Sequence, residues 1–240
     1  MDVYWLEQTE ADVPGENQWL SAPELLCLAG MRFAKRHTDW RLGRWTAKCA
    51  LAARLNLPTD LSALANIEIR AAPSGAPGVF LLNQPAPVTI SLSHRAGAAM
   101  CVVALAEASI GCDLEMVERH SDAFVADFFT ANEQALVERA FAEERPLLVT
   151  LLWSAKESAL KALHEGLRLD TRSMDVSLVD ADPPQAEERL YDSCPVSLKA
   201  PAPDGWRPLR VRYGSARVFR GWWRLADDMV RTIVSDLSLQ

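Results

Sequence analysis

The chain has no C-x-x-C pair, no long apolar run and no overall excess of basic residues, and each absence removes a class of explanation. Its five cysteines (Cys27, Cys49, Cys101, Cys112, Cys194) are odd in number and scattered. Reduced thiols are therefore expected, with neither a disulfide framework nor a cysteine-bound zinc. The longest mostly apolar stretch, residues 96–106, is far short of the ~20 residues that span a bilayer. The opening MDVYWLEQTE has no basic segment followed by an apolar one, so a cytoplasmic location and no membrane association are expected. A net charge of −7 argues against a generic nucleic-acid binder, although the charge is unevenly spread. Nineteen acidic residues stand against nine basic ones over 109–206, whereas the last 34 residues carry seven arginines and no lysine.

What is present fits a soluble globular protein: 240 residues, 49% of them apolar and 24% charged, enough to build a sizeable core. Val3-Tyr4-Trp5-Leu6 reads as a strand, PELLCLAG as a helix, and Thr38 to Leu55 as a longer helix stopped near Pro58. From Ile67 to Ala106 the texture changes to short apolar runs (IEIR, GVFLL, VTISLS, AAMCVVALA) broken by Pro and Gly. Turns that short favour antiparallel pairing. A second cycle then begins: a strand at Ser109 to Glu115, helices over Asp122–Phe128, Asn132–Phe141 and Pro146–His164, and strands around 174–179, 195–200 and 209–224. DADPPQAEER (180–189) reads as a loop. Helices followed by sheet appear twice, so an α+β fold of two similar halves is expected, residues 1–107 and 108–240, each an antiparallel sheet packed on helices.

Two stretches carry chemistry. In SIGCDLEMVERH, strand alternation sends Ile110, Cys112 and Leu114 to one side and Gly111, Asp113 and Glu115 to the other. Two carboxylates on one face repel unless a cation joins them, and oxygen donors of this kind suit Mg²⁺, with Gly111 leaving space beside them. Taken alone, D-x-E is also the pattern of two solvated acids on an exposed strand. In LLWSAKESALKAL (151–163) the apolar residues form a core-facing stripe, but Trp153, Glu157 and Lys161 follow at i, i+4 on another face. Glu157 offers a third carboxylate and Lys161 a phosphate contact, with Trp153 pointing to a covered cleft.

Basic residues cluster in KRHTDWRLGRWTAK, which places Lys35, Arg36, Arg44 and Lys48 on or before the first long helix; Arg44 and Lys48, four apart, are candidates to grip one anion. ISLSHRAG ends a strand in Ser93-His94-Arg95. Neighbours on a strand point to opposite faces, so Ser93 and His94 do not read as a nucleophile and its base. His94 reads as an anion contact or a structural histidine.

In chain order, LGRWTAKCAL (42–51), SLSHRAG (91–97), GCDLE (111–115), FFTANE (128–133) and WSAKESALKA (153–162) resemble the 4′-phosphopantetheinyl transferases, in particular the monomeric type that activates polyketide, peptide and fatty-acid synthases. The resemblance implies a pseudo-two-fold pair of halves with an active-site cleft between them. It also implies Mg²⁺-dependent (or Mn²⁺-dependent) transfer of phosphopantetheine from coenzyme A to a carrier-protein serine, releasing adenosine 3′,5′-bisphosphate. Asp113, Glu115 and Glu157 match metal ligands, Glu157 also the general base, and Lys161 the residue that steadies the diphosphate. Arg36, Arg44, Ser93 and His94 match the region that holds coenzyme A. One departure stands out: a lysine-bearing element expected before the Ser-His strand is Ser74-Gly75-Ala76-Pro77 here, and Arg95 is the candidate to compensate. A non-catalytic coenzyme A- or carrier-binding relative is the alternative. The tail arginines and the apolar surface near Phe128 and Phe129 are candidates for docking an acidic carrier, and no nucleic-acid partner is expected.

Overall fold

A computed structural model describes residues 3–105, 108–178, 205–215 and 217–236. Its elements, in chain order, are β1 (Val3–Thr9), α1 (Ala22–Ala29), α2 (Ala34–Leu55), α3 (Leu61–Leu64), β2 (Ile67–Ala71), β3 (Pro77–Leu81), β4 (Gln84–Pro85), β5 (Val88–Arg95) and β6 (Ala98–Leu105). There follow β7 (Ile110–Met116), α4 (Asp122–Phe128), α5 (Ala131–Arg139), α6 (Arg145–Leu163), β8 (Met174–Leu178), β9 (Arg207–Tyr213), β10 (Arg217–Ala226) and β11 (Met229–Ser235). The described residues fall into two compact units, divided between Leu105 and Ala108. The fold is α+β, and every strand pairing is antiparallel.

Helix starts follow from local chemistry. Ser21, Asp60, Ser121 and Thr130 each accept a hydrogen bond from the backbone N–H three residues on, which satisfies a donor the helix cannot. The two long helices, α2 and α6, end at Asn56 and His164 in the left-handed region. The first of them starts at Ala34, four residues before the sequence pattern indicates, because the basic first turn hides its periodicity.

In the N-terminal unit the sheet order is β1-β6-β5, with the separate ladder β2-β3-β4 packed so that β3 lies beside β5. Helix α2 covers β1 and β6. The C-terminal unit joins its strands continuously as β7-β11-β10-β9-β8, with α6 across β7 and β11. With β3 beside β5, the order β1-β6-β5-β3-β2 parallels β7-β11-β10-β9-β8, and β4 is an addition of the N-terminal unit. The inner strand β11, buried along its whole length, has no counterpart in the sequence reading. The stretch 209–224 divides into β9 and β10 across a turn containing Gly214. The strand expected at 195–200 and the loop at 180–189 lie outside the described residues.

Each unit also repeats one buried polar device. Lys48 on α2 is fully buried, 2.6 Å from Glu24 Oε2, and donates to the carbonyls of Trp19 and Leu64. Lys156 on α6 is fully buried, 2.8 Å from Glu133 Oε2, and donates to the carbonyls of Thr171 and Met174. Both glutamates close a capping box, with Ser21 or Thr130, at the start of the preceding helix. Their second oxygens accept from the backbone N–H of Ile69 on β2 and of Val176 on β8. An ion pair stripped of water persists only when every polar atom finds such partners.

Candidate active site

Lysine 48, read from sequence as half of an anion grip, grips an internal anion instead. Its carboxylate partner is Glu24, and Arg44 sits 3.7 Å from the same side chain while its guanidinium lies over the Trp40 ring. Burial lowers the pKa of Arg44, with Glu24 opposing the shift. Further along α2, Arg36 and Lys35 line a cavity of about 460 Å³ with Phe33, Asp39, Trp40 and His94. Lys35 pairs with Asp39 at 2.6 Å across one helical turn. Ser93 is buried and His94 is exposed, as strand alternation on β5 requires. Ser74 to Pro77 form the turn between β2 and β3, with Gly75 at φ 90°.

The acidic residues gather on the other unit. Strand β7 is buried on both faces: Ile110, Cys112 and Leu114 lie on one side and Asp113 on the side facing α6. Gly111 shares that face, but the room beside it is filled by helix backbone, since a Cβ there would lie 1.8 Å from the Ser158 carbonyl oxygen. The glycine is thus needed for helix contact, and it leaves no open space for an ion. Its absence of a side chain lets α6 press against the strand that carries the acids.

Lys161 reaches across this contact. Its ammonium donates to Asp113 Oδ1 at 2.7 Å and to the Cys112 carbonyl at 3.0 Å. Burial opposes its charge, but Asp113, Cys112 and Glu157 outweigh that and hold its pKa above the ordinary lysine value. Glu157, one turn earlier, has a carboxyl pushed up by burial and by the Asp113 charge, with Lys161 acting in the opposite sense. Two carboxylates and one ammonium therefore share a poorly solvated pocket of charge. Glu115 follows Asp113 on the same face of β7 and is partly exposed. Among the described residues no three His, Cys, Asp or Glu side chains form a ready metal-binding group; Asp113 is engaged by Lys161.

Trp153 is covered by neighbours from α4: the rings of Phe124 and Phe128 meet it edge-on at 5.1 and 5.2 Å. Phe129 is fully buried and belongs to the core, whereas Phe128 is half-buried against it, so only Phe128 leaves part of the expected apolar docking surface exposed. The tail arginines also divide. Arg217 pairs with Asp236 at 2.8 Å, Arg207 lies over Trp223, and buried Arg231 donates to the Ala226 and Met229 carbonyls. Arg210 and Arg220 stand directly opposite one another on β9 and β10, with Arg212 on the same face.

The repeated scaffold supplies a control for these assignments. Matching Lys48 to Lys156 places Cys49 where α6 carries Glu157, and Ala53 where it carries Lys161. Matching the seven-residue ladders of β1 and β7 places Leu6 at the position of Asp113 and Gln8 at that of Glu115. The scaffold closes equally well without the acids, so they are not there to hold it together. Burial drives the Cys49 thiol up to about 11, which keeps that position uncharged.

Residues missed in the sequence are mostly buried partners: Glu24, Glu133, Lys156 and the pair Ser154 and Ser158, whose hydroxyls meet Thr232 of β11 at 2.8 and 2.7 Å. The capping-box spacings Ser21-x-x-Glu24 and Thr130-x-x-Glu133 offered one signal, and FFTANE and WSAKESALKA contain Glu133, Ser154, Lys156 and Ser158 without giving them a role.

Comparison with known proteins adds the lineage. The family model of the 4′-phosphopantetheinyl transferase superfamily matches residues 109–205. A holo-[acyl-carrier-protein] synthase of Bradyrhizobium diazoefficiens is 31% identical over 106 residues, covering 40% of this chain and 76% of that protein. The synthase of the same name from Bradyrhizobium sp. is 32% identical over 105 residues, with the same shares of each chain covered. A crystal structure of Helicobacter pylori holo-[acyl-carrier-protein] synthase in complex with coenzyme A aligns at 20% identity and a TM-score of 0.34, over 43% of this chain and 99% of that one. Asp113, Glu115, Glu157 and Lys161 all fall inside the segment that the family model matches, and with a relative above 30% identity covered over 76% of its length, the chain belongs to the 4′-phosphopantetheinyl transferase superfamily.

Proposed function

We propose that this chain transfers the 4′-phosphopantetheine group of coenzyme A to a serine of a carrier protein, releasing adenosine 3′,5′-bisphosphate, and that it works in the cytoplasm as a monomer. The observation that carries this reading is the Lys161–Asp113 contact at 2.7 Å beside Glu157, on a scaffold whose other copy has Leu6, Cys49 and Ala53 instead.

In the proposed reaction Glu157 takes the proton of the serine hydroxyl as its oxygen attacks the β-phosphorus of coenzyme A. The bond from that phosphorus to the oxygen bridging the two phosphates breaks, and the bridging oxygen leaves on the nucleotide with the bond's electrons. Lys161 offsets the charge that develops there. A carboxyl pushed upward by burial and a neighbouring acid is a better proton acceptor than an ordinary glutamate, which suits a base working near neutral pH. Positioning and charge neutralisation are sufficient roles, because phosphoryl chemistry asks little covalent work of the protein.

The donor chemistry fits Mg²⁺ or Mn²⁺: Asp113, Glu115 and Glu157 are all oxygen donors, and Glu157, pushed up first by burial, is also close enough to Asp113 to feel its charge. These three residues would hold the ion, which when bound supplies charge neutralisation at the diphosphate. Arg36 and His94, with Lys35 beside them, line a cavity with aromatic walls at Phe33 and Trp40, a chemistry suited to the phosphates and purine of the nucleotide. Arg44 lies over the Trp40 ring of that wall, and buried Ser93 precedes His94 on β5. For the carrier protein we assign Arg210, Arg212 and Arg220, three arginines on one face of β9 and β10, where an acidic partner meets complementary charge.

The test is the gain of one phosphopantetheine mass on an apo carrier protein, run with and without Mg²⁺ over fatty-acid, polyketide and peptide-synthetase carriers. A gain that requires the metal supports the reading. Coenzyme A binding without any mass gain on the whole panel would favour a non-catalytic relative.

A further inference from the structure

Lys156 is the immediate neighbour of Glu157 in the segment matched by the family, yet it contributes nothing to the charged group formed by Asp113, Glu157 and Lys161. Its ammonium is fully buried, with Glu133 and two backbone carbonyls as partners and the Phe129 ring 5.6 Å away. Glu133 itself closes the first turn of α5 and takes the backbone N–H of Val176. One side of α6 is thereby fastened at a single point to α5, β8 and the turn before it.

Another side is fastened independently. Ser154 and Ser158 both meet the Thr232 hydroxyl, Thr232 donates to the Ser154 carbonyl at 3.0 Å, and Ser158 donates to the Thr232 carbonyl at 3.3 Å. Successive helical residues are about 100° apart around the axis, so Lys156 and Ser158 lie on nearly opposite sides with Glu157 between them. Two buried polar anchors on opposite sides leave the helix no freedom to roll. The angle they fix is the one at which Glu157 and Lys161 look at β7.

We propose that Lys156, through Glu133, is a positioning residue that works with the Thr232 anchor to set the rotation of α6, and so aims Glu157 and Lys161 at Asp113 without itself touching substrate. The inference rests on the functional reading above for its meaning in catalysis. Its geometric part stands alone, because Lys48 makes the same contacts in a unit with no acids to aim.

The test uses the full chain with two readouts. One is steady-state transfer from coenzyme A to a carrier. The other is NMR of ¹³Cε-labelled lysine, since the chain has only five lysines, Lys35, Lys48, Lys156, Lys161 and Lys199, and Lys161 is assigned by its substitution. K156M leaves Glu133 buried without its cation, while K156M/E133Q removes both charges and keeps an acceptor for Val176. With the reacting groups misaimed by about an ångström, K156M lowers kcat about 10- to 100-fold, the KM for coenzyme A moves less than about threefold, and the Lys161 signal shifts. The double variant regains stability, because no charge is left buried alone, but keeps the lowered kcat and the shifted Lys161 signal, because the anchor is still missing. T232V, acting from the other anchor, gives the same split between kcat and KM and keeps the proposal open to refutation where K156M fails to fold.

A raised KM with kcat unchanged in K156M would place the lysine on substrate and overturn the proposal. So would an unmoved Lys161 signal in K156M and T232V. A wild-type chain that transfers nothing to any carrier would refute the functional reading alone, because the Lys161 signal decides the positioning role without turnover.

Discussion

Gly111 on β7 lies so close to Ser158 on α6 that a Cβ on the glycine would sit 1.8 Å from the Ser158 carbonyl oxygen. No rotamer relieves a clash with backbone, so strand and helix must part. Gly111→Ala is expected to destabilise the chain by at least the ~1–3 kcal/mol typical of overpacking, and to abolish transfer by separating Asp113 from Lys161. Urea denaturation followed by circular dichroism checks the first effect. A variant of wild-type stability would mean that α6 is free to shift.

Replacing the proposed base separates activity from stability. The Glu157 carboxyl has a folded pKa raised above its unfolded value of about 4.3, so the folded state prefers it protonated. That preference contributes stability fully present below the unfolded pKa and lost as pH rises through the folded one. E157Q should therefore lose transfer about 100-fold or more, yet melt above wild type at neutral pH in the presence of a chelator. The difference should shrink as pH falls below the ordinary glutamate range. A variant that melts lower than wild type at every pH would refute this.

Removing Lys48 alone leaves Glu24 buried beside Arg44 without its main cation. Breaking one side of such a pair typically costs about 3–5 kcal/mol. K48M should show a loss of that size, and K48M/E24Q should regain most of it, as read from chemical denaturation. Equal losses in the single and double variants would contradict the account of this pair.

The cavity beside Arg36 and His94 gives a binding prediction. R36A and H94A should each raise the KM for coenzyme A by about tenfold, the scale of one hydrogen bond to a charged group, with kcat nearly unchanged. Titration calorimetry with adenosine 3′,5′-bisphosphate locates the loss in the nucleotide part of the ligand.

Cys49, with its thiol pushed up to about 11, should resist alkylation at pH 8, where only about one thiol in a thousand is ionised. Exposed Cys27 should react before Cys49, and peptide mapping after brief iodoacetamide treatment reads the order.

Local chemistry made much of this legible in advance. The bounds of α4 and the D-x-E strand follow from a cap and from alternation, and the odd face of α6 is visible in the spacing of Trp153, Glu157 and Lys161. What pairs at long range is another matter. Nothing near Lys48 in sequence announces Glu24, and lysines are so rarely buried that a surface reading of it was the natural one. Gly111 is similar: alternation gives its face, but only the approach of α6 gives its purpose. MVRTIV has the branched residues of a strand, but only the pairing of β11 with β7 and β10 gives its place inside the sheet.

That strand also governs when the half carrying the proposed reacting groups can form. Among the described residues the one strand that pairs with β7 is β11, which puts more than a hundred residues between Asp113 and its ladder partner Thr232. During synthesis the acidic strand must wait, unzipped, until Met229 to Ser235 have left the ribosome, and so widely separated a closure favours slow assembly. A nascent chain stopped at Ala226 would have made every proposed reacting group and have no sheet on which to mount them.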